Sequence, residues 1–178
     1  MNDQTKDNKQ IYRVVINAPI ERVWSELVNT TSPRPFFYNA ICDTEGLSPG
    51  APYRMVSKDH NNAFIVGEVL AFEPPHLFSQ TFKFTTTDDV PCTVTYKLKE
   101  VSDGVEFLLV TENVPVGTKT EKSMADGGKW ITSNFKTYME TGKVSFGARI
   151  MLAVMSLMGG MMPKSTKIEN WPRGKYQN

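Results

Sequence analysis

The order of segments constrains this chain more than any single residue does. A strand is followed by a short helix, a long run of strands and one long helix near the end. Strands joined by short turns form an antiparallel sheet with one face to cover, and the helix that follows them is the element available to cover it. The expected class is therefore α+β, a curved antiparallel sheet wrapped around a long C-terminal α-helix. A sheet that curls around a helix leaves a space between the two, and such a space suits an apolar molecule.

Residues 11–16, Ile-Tyr-Arg-Val-Val-Ile, are β-branched and aromatic and read as a strand. Pro19 suits a first helical turn and Glu21 the positive end of the helix dipole, while Ile20, Val23, Trp24, Leu27 and Val28 keep helical spacing, so a helix is expected over residues 19–29. Pro33 and Pro35 break the chain before the aromatic cluster Phe36-Phe37-Tyr38, which reads either as ordinary core or as a gate at a pocket mouth. Strands follow over residues 53–58, 64–72, 76–84, 92–100 and 105–113, separated by turns rich in Asp, Asn, Gly and Pro. Phe78, Phe82 and Phe84 alternate with Ser79, Thr81 and Lys83; Cys92, Val94, Tyr96 and Leu98 alternate with Thr93, Thr95, Lys97 and Lys99. Gln80 shares the buried parity and needs hydrogen-bond partners there, and Phe107, Leu109 and Thr111 face inward in the last strand. A helix over residues 120–141 ends at Gly142, and its stripe Met124, Gly128, Ile131, Phe135 and Tyr138 closes the space. Gly127-Gly128 inside it marks a kink, a close approach to the sheet, or room for a ligand.

At 178 residues, one core is the default. Lys+Arg 20 against Asp+Glu 19 gives a net charge of +1, so no overall field draws the chain to nucleic acid. Cys42 and Cys92 lack metal-ligand spacing, and the polar start MNDQTKDNKQ is unlike a secretory leader; a cytoplasmic location is expected, with residues 1–9 a flexible tail. His60 and His76 have no spaced carboxylate beside them, Gly159-Gly160 lacks the lysine of a phosphate loop, and Glu68, Glu106 and Glu112 are the carboxylates within strands. No metal, cofactor or catalytic residue is expected, and the enzyme question leans to no.

The successions Ile16-Asn17-Ala18-Pro19-Ile20-Glu21-Arg22-Val23-Trp24, Gly67-Glu68-Val69-Leu70-Ala71-Phe72-Glu73-Pro74-Pro75-His76-Leu77, and Ser133-Asn134-Phe135-Lys136-Thr137-Tyr138-Met139-Glu140-Thr141-Gly142 resemble the START-like (SRPBCC) superfamily. Within it the chain looks most like the C-terminal domain of the activator of heat-shock-protein ATPase, over about residues 10–143. The resemblance implies a helix-grip fold. The family commonly has a tryptophan after glycine early in the long helix, where this chain reads Gly127-Gly128-Lys129-Trp130.

Residues 144–178 lie outside the resemblance and are expected to add a Met-rich helix and a basic tail. Residues 150–163 hold no charge, yet are shorter than the roughly 20 residues needed to span a bilayer. As a helix they give one apolar ridge of Phe146, Ile150, Val154, Leu157 and Met161 and another of Met151, Met155, Met158 and Met162. Burial against the same domain, a second copy, a partner or a lipid surface would cover them. The leading expectation is non-enzymatic binding of a small hydrophobic ligand, lined by Phe37, Tyr53, Gln80, Phe82, Tyr96, Leu109, Ile131 and Phe135. The alternatives are a co-chaperone-like partner module, including a homodimer through residues 144–162, and a cyclase- or hydrolase-like enzyme.

Overall fold

Period-two alternation becomes one seven-stranded, wholly antiparallel sheet in the order β1-β7-β6-β5-β4-β3-β2. The computed structural model describes residues 9–157 and 162–174. Its elements are β1 (Gln10–Ile16), α1 (Ile20–Leu27), β2 (Ile41–Thr44), β3 (Pro52–Val56), β4 (Ala63–Glu73), β5 (Leu77–Phe84), β6 (Cys92–Val101), β7 (Gly104–Glu112), α2 (Lys119–Thr141) and α3 (Phe146–Leu157). The sheet curves around α2, and register shifts at Met55/Val56 and between Val69 and Ala71 lie in its β3–β4–β5 part. Strand β2 has no counterpart in the sequence reading: Ile-Cys-Asp-Thr is too short to establish a period.

α2 begins where Thr118 Oγ1 accepts the Glu121 amide, while Glu121 Oε2 accepts the Gly117 amide, a variant of the reciprocal capping box. It ends as expected at Gly142, left-handed at φ 75°, whose amide bonds Tyr138 O. Its 23 residues span about 34 Å. Along that length its packing changes. Phe135 and Met139 are buried in the C-terminal half, Phe135 lying 4.4 Å from the Phe36 ring and 5.1 Å from that of Phe107. The N-terminal half is held from the edge strand β1: Gly128 sits against the Tyr12 ring, whose hydroxyl donates to Ala125 O at 3.2 Å.

α3 starts at an Asn134–Ser145 corner, where Asn134 Oδ1 accepts from both the amide and the hydroxyl of Ser145 and Ser145 Oγ accepts the Ala148 amide. It buries Ala148 and Leu152 against the domain but leaves Phe146, Ile150, Val154 and Leu157 exposed, at 74, 52, 49 and 88 %. The expected ridge exists over these four residues; Met158 and Met161, which extend the two ridges, lie outside the described residues, as do residues 1–8 of the expected N-terminal tail.

Residues 162–174 return to the sheet instead of trailing away. Thr166 is fully buried and its hydroxyl donates to Asn62 Oδ1 at 2.9 Å; Ile168 donates its amide to Asn61 O at 3.0 Å. Ile168 and Trp171 cover Ile41, Val56, Ala63 and Val66, a second small core on the outer face of β2, β3 and β4. Arg54 Nη1 donates to Trp171 O at 2.8 Å, and Asp43 is held between Arg54 and Arg173. Burial raises the Asp43 pKa, but the hydrogen bonds from Arg173 and Arg54 outweigh it and hold the carboxyl below its ordinary value. A carboxylate with a depressed folded pKa stabilises the fold above its unfolded pKa and loses that contribution as pH falls through the folded one. Acidification below about pH 4 is therefore expected to loosen this strap. Asp43→Asn should do the same at neutral pH, at a cost of about 1–3 kcal/mol. Thermal unfolding across pH checks both, and an unchanged midpoint in the variant counts against the clamp.

Candidate functional site

The two halves of α2 leave unequal space beneath them. Below the N-terminal half lies a cavity of about 1100 Å³, slightly above the range of about 300–1,000 Å³ usual for ligand pockets. Its floor is the inner face of β5, β6 and β7. Antiparallel register sets Phe78, Tyr96 and Leu109 in one cross-strand row and Gln80, Val94 and Thr111 in the next. Met124, Gly127, Gly128 and Ile131 of α2 form its roof, and Leu152, Met155 and Ser156 of α3 its further end.

Six of the eight residues expected on the wall are brought together here: Phe37, Gln80, Phe82, Tyr96, Leu109 and Ile131. Tyr53 and Phe135 are not part of it. Tyr53 stands opposite Gly67, fills the notch left by that missing side chain and donates its hydroxyl to Thr81 O at 2.7 Å. Phe135 is consumed by the aromatic contact that fastens α2. The Phe36-Phe37-Tyr38 cluster divides between its two readings. Phe36 is core, whereas Phe37 and Tyr38 face the cavity. Tyr38 holds a left-handed backbone at φ 56° and stacks on Trp130 at 5.0 Å, nearly parallel at 9°; burial, and then Asp126, raise its pKa to about 12.

The two residues of Gly127-Gly128 differ in their surroundings. A Cβ on Gly128 would lie 2.2 Å from the Tyr12 ring, so this glycine permits close approach to β1; one on Gly127 would meet nothing within 4 Å, and Gly127 adjoins the open cavity. Opposite stability effects are expected. Gly127→Ala should stabilise by about 0.5–1 kcal/mol through helix propensity, and Gly128→Ala should cost about 1–3 kcal/mol by displacing Tyr12. Denaturant titration of the two variants reads the contrast, and equal effects would remove it.

The polar groups of the wall differ in how they are satisfied. Gln80 and Tyr96 make no side-chain hydrogen bond among the described residues, and Thr111 Oγ1 is buried without a partner. Arg34 is the residue that sequence reasoning missed. It is only 5 % exposed, lines the cavity, and lies over the Phe37 ring at 4.5 Å. The available signal was its position between Pro33 and Pro35, immediately before two phenylalanines, where a surface arginine has no reason to be fixed. Asp59 and Asp126 border the cavity but are engaged by Ser57 and Asn61 and by Lys122. Among the described residues, none of Glu68, Glu106, Glu112, His60 and His76 lines it. Glu106 and Glu112 instead pair with Arg13 and Lys9 outside. No group of three or more His, Cys, Asp or Glu residues able to hold a metal ion occurs among the described residues.

Residues 17–140 match the family described as activator of Hsp90 ATPase homolog 1-like protein. The chain belongs to this family. Its architecture is accordingly the START-like, helix-grip one that the resemblance implied, observed in the sheet and α2. No match was found among curated proteins. Similar solved structures include DynU16, described as a protein of the dynemicin biosynthetic locus, at a TM-score of 0.62 and 20 % identity over 78 % of this chain and 49 % of that one. CalU16 from Micromonospora echinospora has a TM-score of 0.56 and 19 % identity, covering 82 % of both chains. ChR145 from Cytophaga hutchinsonii has a TM-score of 0.56 and 24 % identity, covering 74 % of this family member and 92 % of itself. At these identities the likeness is one of fold. No helix among the described residues is long and apolar enough to cross a membrane.

Proposed function

We propose that this protein is a non-enzymatic binding domain that holds one small hydrophobic molecule between sheet and long helix. The observation that carries the reading is the cavity of about 1100 Å³, walled by Phe37, Phe82, Tyr96, Leu109 and Ile131. Cavities walled by such side chains are stable when filled by matching apolar surface, at about 25 cal/mol per Å² removed from water. The unpartnered Gln80 amide and Tyr96 hydroxyl add orientation. Cys42 and Cys92 are buried free thiols, which fits a cytoplasmic setting. The expected result is saturable one-to-one binding of a neutral apolar dye such as Nile red. Ile131→Trp, which fills the roof, should weaken it about tenfold or more while leaving the circular dichroism unchanged. Native mass spectrometry before and after organic extraction reports any copurifying ligand. Absent or non-saturable dye binding overturns the reading.

A second surface supports a partner role for the same chain. Phe146, Ile150, Val154 and Leu157 form a single exposed seam on α3, and α3 carries no acidic residue and only Arg149 as a charge. A seam of this spacing complements a second copy of itself, helix on helix. We infer a homodimer through α3, with a concentration-dependent dimer mass in sedimentation velocity and a monomer for Ile150→Glu. A wild-type chain that stays monomeric at high concentration excludes it.

A further inference from the structure

Arg34 presents a charge imbalance that the protein itself does not resolve. Its side chain is buried at 5 % exposure, and the guanidinium carries five N–H donors in a fixed fork. One Nη1 hydrogen bond goes to Leu27 O at 2.6 Å, Nη2 reaches the thioether of Met55 at 3.1 Å, and the guanidinium also contacts the Cys42 thiol. Nε is buried with no partner at all. Burial pulls its pKa down, and the groups acting against that are Cys42, Tyr96 and Tyr53, none of them a carboxylate. A guanidinium does not release its proton in a protein, so the charge stays, and a buried charge without a counter-ion costs several kcal/mol.

The same side chain lines the cavity, beside Phe37 and Tyr96. Tyr96 is itself a free hydroxyl donor: burial, the largest influence on it, raises its pKa and keeps it protonated. A second, weaker set of free polar groups, Gln80 and Thr111, lies in the adjacent cross-strand row. Lys58, Asp59 and Asp126 also border the cavity, whereas Arg34 is the buried cation on its wall; fixed donors around it, beside Phe37, Phe82 and Leu109, form a receptor for an anion attached to an apolar body.

Resting on the binding role proposed above, we propose that the ligand is an apolar monocarboxylic acid whose carboxylate sits against Arg34, with its hydrocarbon part over Phe82 and Leu109. One carboxylate balances one buried guanidinium, whereas a phosphate monoester would bring nearly two negative charges to a single buried cation. The planar fork of the guanidinium also matches the two carboxylate oxygens.

The test compares dodecanoate with its methyl ester, which keeps the chain length and removes the charge, by calorimetric titration of the full chain. Dodecanoate is expected to bind about tenfold or more tightly than the ester. Arg34→Gln should abolish that preference, so that acid and ester bind with similar affinity. Where Arg34→Gln does not fold, Arg34→Lys, which keeps the charge but loses the fork, should reduce the preference without removing it. Equal affinity of the wild type for acid and ester overturns this proposal and leaves the apolar cavity standing. Binding of neither ligand, together with the absence of saturable Nile red binding, overturns the cavity reading and this proposal with it.

Discussion

The molecule depends on a three-ring contact at one end of its long helix. Phe135 of α2 meets Phe36 from the loop after α1 and Phe107 from the centre of β7, at 4.4 and 5.1 Å between ring centroids. Helix, loop and sheet are thereby joined where packing is dense, and burial of three aromatic side chains supplies several kcal/mol. Because that contact lies in the C-terminal half of α2, the N-terminal half need not press onto the sheet. Tyr12 supports it from the side, through Gly128, and the space beneath remains open. The cavity follows from where the aromatic contact was placed.

Much of this was legible in the sequence because periodicity survives translation into structure. The alternation in β5 and β6 set the floor residues correctly, and Gly142 marked the end of α2. The two residues misplaced on the wall, Tyr53 and Phe135, have the right parity or stripe, but each is claimed by a local demand: a glycine notch in one case and a ring contact in the other. Periodicity assigns a face and not a neighbour. Strand β2 and the return of residues 162–174 to the sheet were hidden for a related reason. Both rest on long-range pairs such as Asp43–Arg173 and Asn62–Thr166, which have no local signature. Arg34 escaped because charge is read as exposure unless a partner is known.

The electrostatics of the two faces differ accordingly. On the outer face Arg54 and Arg173 converge on Asp43, and Arg13 meets Glu106. On the inner face Arg34 has a carbonyl, a thioether, a thiol and an aromatic ring. Natural interiors satisfy buried polar groups almost completely, so several unsatisfied groups gathered on one cavity wall distinguish that wall from ordinary core.

The separation of the two ends of α2 has a consequence for how such a chain diversifies. The floor side chains of the cavity come from β5, β6 and β7, at positions whose backbone is already paired with neighbouring strands, and none of them belongs to the Phe36–Phe107–Phe135 contact. Replacing Leu109 or Phe82 reshapes the chamber without touching the joint that sets overall stability. Change in the shape of the cavity and retention of the scaffold can therefore proceed side by side in one small domain, because they act on different ends of the same helix.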